Sequence, residues 1–208
     1  MSFKFPDYGS NHRKYVGGSD AEMWYHIGKI QYHFLVSSGL KPCHIFLDLA
    51  CGSLRLGQWL IPMLNAGNYY GLDARKDMVQ KGLDNEILYD VVKVKNPNFS
   101  FNHSFDFTFI HTFDYAMAQS LFTHLSMECI ESCFKNISEV MNKNSKFYFT
   151  FKKGNSDTNP SVVMHPGKLW KYQIEELEEA AGKFNLKLNH IGNWKHPRNQ
   201  NLVLCQKK

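Results

Sequence analysis

The chain has 208 residues, 43% of them hydrophobic, and a formal net charge of +5, enough for one well-buried domain and too short for two comfortable ones. Its 24 Lys and Arg are scattered among 19 Asp and Glu, with Lys152-Lys153 no more than a minimal cluster, so a solvated basic surface is expected rather than a nucleic-acid stripe. The five cysteines, Cys43, Cys51, Cys129, Cys133 and Cys205, lack C-x-x-C spacing, which argues against a disulfide framework or a zinc site.

The opening Met-Ser-Phe-Lys-Phe-Pro has no apolar stretch of secretory length, and no run approaches membrane-spanning length, so a reducing, cytoplasmic setting is expected. Residues 1–18 are polar, with Pro6, Gly9, Gly17 and Gly18, and read as a loose arm ahead of a single domain over 19–208. Ser19-x-x-Glu22 has the form of a capping box. Met23, Ile27, Ile30 and Phe34 follow at helical spacing until Gly39 and Pro42 end the helix. Trp24 on this helix reads equally as a core anchor and as a wall of a ligand site.

Ile45 to Leu49 is a continuous apolar run broken only by Asp48, the pattern of a parallel strand covered on both faces. Cys51, Gly52 and Ser53 then let the backbone approach a ligand, and helical spacing resumes over 54–64 with Pro62 set to kink or end it. A strand, a small-residue turn and a helix start together form a site for an anionic or polar ligand. Asn68 to Asp73 is a short strand ending in an acid about two dozen positions beyond Asp48, where a doubly wound unit delivers a carboxylate to a ribose diol. Nicotinamide and methyl-donor cofactors both fit that much. The first loop lacks Gly-x-Gly-x-x-Gly and follows an acid instead, which favours S-adenosylmethionine (SAM).

Further on, 76–83 reads as a helix, 84–95 is ambiguous, and 98–101 and 113–119 read as the third and fourth strands. Met127 to Met141 is an amphipathic helix with Ser126 as its cap, and 146–151 is a fifth strand. The loop 154–167 is long enough to be functional. The helix over 172–184 carries Glu175, Glu176, Glu178 and Glu179 as a solvated face rather than a metal cluster. Leu186 to Ile191 and Leu202 to Cys205 close the sheet as an antiparallel hairpin.

The segments Arg13-Lys14-Tyr15-Val16-Gly17-Gly18, Leu47-Asp48-Leu49-Ala50-Cys51-Gly52-Ser53-Leu54-Arg55, Ala118-Gln119-Ser120-Leu121-Phe122-Thr123-His124-Leu125 and His196-Pro197-Arg198-Asn199-Gln200 resemble, in that order, a group of small bacterial class I SAM-dependent methyltransferases. The resemblance implies a Rossmann-like doubly wound α/β fold: a mostly parallel seven-stranded sheet with an antiparallel C-terminal strand and helices on both faces. It implies SAM as cofactor, S-adenosylhomocysteine (SAH) as product, and an arm folded over the ligand. Asp48, Ala50, Cys51, Gly52 and Ser53 would then orient the methionine end, Asp73 and Ala74 the ribose. Ser104 and Phe105 would border the adenine, where related enzymes commonly carry an acid that this chain lacks. Gln119 and Ser120 would border adenine or methionine, and Trp24 the lid.

The usual loop Asp-x-Gly-x-Gly-x-Gly has Ala50 and Leu54 in place of its first and third glycines. Methyl transfer to a hydroxyl or protonated amine needs a base, and histidine suits neutral pH; His124, just past the fourth strand, is the first candidate, followed by His165 and His111. The expected acceptor is a small molecule methylated on oxygen or nitrogen, with no membrane partner. A non-catalytic SAM binder is the alternative, favoured by Ala50 and the absent adenine acid. A nucleic-acid methyltransferase is the second alternative, although no Asn- or Asp-Pro-Pro-aromatic run leaves the fourth strand, and a nicotinamide oxidoreductase is a minor possibility.

Overall fold

A computed structural model describes residues 12–15, 21–165 and 167–208. Most of the proposed arm and the Ser19 of the capping box lie outside the described residues. Seven strands form one sheet in the order β3-β2-β1-β4-β5-β7-β6: β1 (Phe46–Leu49), β2 (Tyr69–Leu72), β3 (Asn98–Ser100), β4 (Phe113–Ala118), β5 (Met141–Phe151), β6 (Leu186–Asn193) and β7 (Asn201–Lys207). β1 to β5 pair in parallel, and β7 runs against both β5 and β6. This is the expected doubly wound sheet with one reversed strand near its C-terminal edge.

The helices in chain order are α1 (His12–Tyr15), α2 (Ala21–Ser37), α3 (Gly57–Met63), α4 (Lys76–Glu86), α5 (Tyr89–Lys95), α6 (Met127–Val140) and α7 (Ile174–Gly182). The ambiguous stretch 84–95 holds the end of α4 and the whole of α5, which stops at Asn96 in the left-handed region (φ 46). The strand β1 is buried on both faces, as its apolar pattern, broken only by Asp48, requires. Leu47 and Leu49 join Ala116, Phe147 and Phe149 in a core with α6 and α7. Phe46 joins Tyr115, Met117 and Tyr148 in a second core with α2 and α3.

Three local expectations change. The helix after the first loop starts at Gly57 rather than Leu54, because residues 51–56 are spent on a wide turn. Ser126 sits at the N-cap of α6, but its hydroxyl makes no capping bond; the helix start instead packs under the long loop through a Ser126 N–H to Val163 carbonyl bond of 2.8 Å. The buried stripe of α2 is Trp24, Ile27, Gln31 and Leu35, while Met23, Ile30 and Phe34 are half-buried, one residue round from the predicted face.

Candidate functional site

The C-terminal ends of β1, β2 and β4 open into a cleft of about 370 Å³, within the size range of small-ligand sites. It lies where the strand order reverses between β1 and β4, the place at which doubly wound sheets bind ligands.

The first loop forms one wall through Asp48, Ala50, Cys51 and Gly52. Ala50, Gly52 and Leu54 have φ values of 55, 55 and 63, so all three glycine positions of the commoner loop keep the left-handed conformation although two carry side chains. Each non-glycine residue there costs about 1–2 kcal/mol. For Leu54 the cost is offset by complete burial of its side chain; Ala50, with a single methyl, has no comparable return.

Asp48 and Asp73 stand at the tips of adjacent strands and both face the cleft. Asp48 accepts from the Tyr69 hydroxyl at 2.7 Å. Burial pushes its carboxyl up to about 7, against the pull of Tyr69 and of the Arg55 charge. Asp73 accepts from the Gly52 amide and the Arg75 amide, each at 2.8 Å, so one carboxylate ties the first loop to the second. Burial also raises the Asp73 carboxyl above its ordinary value, the two amides opposing.

Opposite the loop, α2 presents Gln31, which is 3% exposed and lines the cleft. Its Nε2 reaches Met117 Sδ at 3.6 Å, and its Oε1 meets no hydrogen-bond partner among the described residues. A buried acceptor without a donor is costly and points to a donor group on a ligand. Gln31 is visible in the sequence as the polar residue interrupting the helix's apolar stripe, but the predicted stripe is turned one residue away from it.

Ala74, Phe105, Gln119, Ser120 and His124 line the same cleft. Phe105 is buried with φ 57. The turn that carries it is built by Asn102, whose Oδ1 accepts from the amides of Ser104 and Asp106 at 3.2 and 3.0 Å; Asn102 and His103 reach the cleft, whereas Ser104 is exposed outside it. Ser53 is buried behind the loop, donating to the His12 carbonyl at 3.3 Å. Trp24 is fully buried beneath the Arg13 guanidinium, 5.0 Å from its ring, and does not line the cleft. His165 is a neighbour of His124, its amide bonding the His124 carbonyl at 3.2 Å, but it too lies outside the lining. His111 is exposed just ahead of β4, at the edge of the sheet opposite the cleft.

His124 ends a 3-10 turn (Phe122–His124), and its Nδ1 is 2.8 Å from the Lys168 carbonyl. A carbonyl only accepts, so Nδ1 carries the proton and a neutral ring keeps its lone pair on Nε2. Burial holds the ring below its ordinary value, the Lys168 carbonyl opposing. It is therefore neutral at physiological pH.

Three of the sequence segments singled out above meet in one polar network. Arg55 Nη2 donates to Gln119 Oε1, Gln119 Nε2 lies 3.0 Å from His196 Nε2 and 3.1 Å from Gln200 Oε1, and Gln200 Nε2 donates to the Ser120 hydroxyl. Thr150 on β5 closes it, donating to Gln200 Oε1 at 2.7 Å and accepting from the Ser120 amide at 2.8 Å. Ser120 adopts φ 62. The β6–β7 connection reaches this point because β6 runs parallel to β1, so its end lies on the ligand edge of the sheet. Burial, then the Arg55 and Arg198 charges, push His196 down to about 3, so it stays neutral. Sequence reasoning missed Arg55 and Arg198 as site residues, although each lies within a segment that carries the resemblance. Neither segment shows by itself that the two side chains line one cleft.

Residues 47–147 match the family model of the methyltransferase domain. The fold is similar to an S-adenosylmethionine-dependent methyltransferase from Clostridium acetobutylicum, at 14% identity and a TM-score of 0.65 over 92% of this chain and 94% of that one. It is also similar to the magnesium protoporphyrin IX methyltransferase of Synechocystis PCC 6803 with bound SAH, at 12% identity, a TM-score of 0.66 and coverage of 94% and 92%. The PH0226 protein of Pyrococcus horikoshii has the same fold, with 18% identity, a TM-score of 0.67 and coverage of 99% and 100%. No curated protein sequence matches the chain.

Proposed function

Because residues 47–147 match the methyltransferase-domain family on the fold of SAM-dependent enzymes, we propose that this chain transfers a methyl group from SAM to an oxygen or nitrogen of a small-molecule acceptor. The observation that carries the reading is the pair of carboxylates, Asp48 and Asp73, on neighbouring strand tips and facing one cleft with Gly52 between them. The donor set fits the group. SAM is a cation with an ammonium and a ribose diol, two acids line the cleft, and the buried Gln31 Oε1 is an acceptor with no donor among the described residues.

Bound SAM would supply an electrophilic methyl on sulfur. Asp73 would accept from the ribose hydroxyls with the lone pairs that its two amide donors leave over, and Asp48 and Gln31 would face the ammonium. Phe105 offers a buried apolar face to the adenine. The acceptor would enter beside Gln119, Ser120 and His124. Such a displacement is accelerated chiefly by holding the acceptor in line, and His124 Nε2 would take its proton as the bond forms.

Titration calorimetry with SAM, SAH and NAD tests the cofactor, and SAH release across a metabolite panel tests turnover. Asp73→Ala should weaken SAM binding about ten-fold or more, the loss expected for charge-assisted hydrogen bonds. His124→Asn should lower kcat about a hundred-fold while KM for SAM holds. Unchanged SAM affinity in Asp73→Ala, or tighter binding of NAD than of SAM, removes the assignment.

A further inference from the structure

The polar network at the exit of β4 has a direction. A guanidinium only donates, so the Gln119 oxygen faces Arg55 and its Nε2 turns the other way. There it lies 3.0 Å from the Ser120 hydroxyl and 3.1 Å from Gln200 Oε1. Gln200 Oε1 also takes the Thr150 hydroxyl proton at 2.7 Å, which leaves Gln200 Nε2 to donate to the same Ser120 hydroxyl. Ser120 thus meets two amide NH2 groups. Such a group offers hydrogens and no lone pair, so neither receives the Ser120 proton, however the hydrogens of Gln119 are shared. No other acceptor for that proton is present among the described residues. Ser120 is therefore a fixed donor without an acceptor, on a residue that lines the cleft.

Its backbone points the same way. Ser120 holds φ 62, a left-handed conformation that a non-glycine residue keeps when its surroundings impose it, and such strain gathers at ligand sites. From Ser120 the chain makes a single turn to His124. The Thr123 hydroxyl donates to the Ser120 carbonyl at 2.8 Å, and the His124 amide to the Leu121 carbonyl at 2.9 Å. The two ends of this turn line one cleft with opposite polarity, a donor on Ser120 and an acceptor on His124 Nε2. A hydroxyl complements that pair: its proton suits His124, one lone pair suits Ser120, and a second lone pair is left for the methyl. An ammonium has no lone pair, and a neutral amine has a single one, which it needs for attack.

We propose that the methylated atom of the acceptor is a hydroxyl oxygen rather than an amine nitrogen, with Ser120 donating to it and His124 receiving its proton. This rests on the methyltransferase reading above. As the O–C bond forms, the C–S bond breaks and leaves its electron pair on sulfur, the hydroxyl proton passes to His124 Nε2, and Ser120 keeps its own proton.

The test titrates the full chain, saturated with SAH, with phenol, aniline and anisole at neutral pH, where phenol keeps its proton and aniline is uncharged. Phenol satisfies both groups, aniline His124 alone and anisole Ser120 alone. Each missing hydrogen bond should weaken binding about three-fold or more. Ser120→Gly suits the left-handed backbone and removes the hydroxyl. It should bring phenol down to the level of aniline, while phenol still exceeds anisole and SAH affinity stays within about two-fold. Equal binding of the three probes, binding of none, or tighter binding of aniline than of phenol overturns the proposal. So does a Ser120→Gly variant that loses SAH affinity while phenol keeps its advantage over aniline, since the hydroxyl would then serve the cofactor. A wild-type chain that takes up no SAH overturns this inference and the methyltransferase reading together, whereas SAH uptake without a preference for phenol over aniline overturns this one alone.

Discussion

Asp48 shows how a single residue couples charge to ligand binding. Its place is legible in the sequence, because an acid closing an apolar strand has few reasons to be there. Its partner is not, since Tyr69 lies on another strand and only the register Phe46 to Tyr69 brings the hydroxyl within reach. With the folded carboxyl raised to about 7 from an ordinary value of about 4, the folded state holds a proton that the unfolded chain has lost. This group's contribution to stability is therefore complete below pH about 4 and is lost as pH rises through about 7. A cationic cofactor favours the ionised form, so SAM binding should release a proton. SAM affinity should rise about ten-fold between pH 6 and pH 8, as one titration centred near 7 dictates, and level off above. Asp48→Asn should flatten the profile. Calorimetry in buffers of different ionisation enthalpy measures both, and an affinity that is constant or falls over this range would show that Asp48 does not face the cofactor's positive charge.

At the scale of elements, the first loop is shaped as much by what packs behind it as by its own residues. Helical spacing predicts α4 over 76–83, but nothing in its sequence says that Gly82 touches the loop. A Cβ there would lie 2.5 Å from the Ser53 carbonyl oxygen and 2.6 Å from its carbon, backbone atoms that yield only if the loop moves. Gly82→Ala should therefore lower the melting temperature and weaken SAM binding together, although residue 82 does not line the cleft; a variant that melts lower with SAM affinity intact would separate packing from binding. Within the loop, two substitutions at the same backbone conformation should have opposite signs. Ala50→Gly relieves a left-handed residue with little side chain to lose and should stabilise by about 1 kcal/mol. Leu54→Gly relieves the same strain but empties a fully buried site and should destabilise by about 2–5 kcal/mol. Thermal unfolding of the two variants reads the difference directly. The departures from the glycine-rich pattern are visible in the sequence, but which of them is compensated depends on burial and is not.

For the whole molecule, the sheet order follows from the alternation of apolar runs and helical periods, because each parallel strand needs a crossover and each crossover covers a face. Long-range polar pairing leaves no such trace. The meeting of Arg55, Gln119, His196 and Gln200 joins three distant parts of the chain, and the contact between α1 and α4 joins two. There Glu86, with a side chain 2% exposed, accepts from Arg13 Nε at 2.8 Å and Nη2 at 2.9 Å and lies 2.6 Å from His12 Nε2. Burial alone would raise the Glu86 carboxyl, but Arg13 and His12 together hold it below its ordinary value. The stabilisation is thus present above the ordinary carboxylate value and is lost as pH falls through the depressed one. Lys14, between these anchored neighbours and the first strand loop, lines the cleft. If the arm folds over the cofactor, as its resemblance to related enzymes implies, Glu86 is what fixes that fold, and Glu86→Gln should release residues 12–15 while the sheet stays intact. Removing the charge weakens bonds worth about 1.5–3 kcal/mol each, so the released segment should open about ten-fold more often or more. Trypsin should then cut after Arg13 and Lys14 correspondingly faster, SAM affinity should fall several-fold, and the melting transition should move little. Cleavage at the wild-type rate with SAM affinity unchanged would mean that the first helix packs on α4 without closing the site.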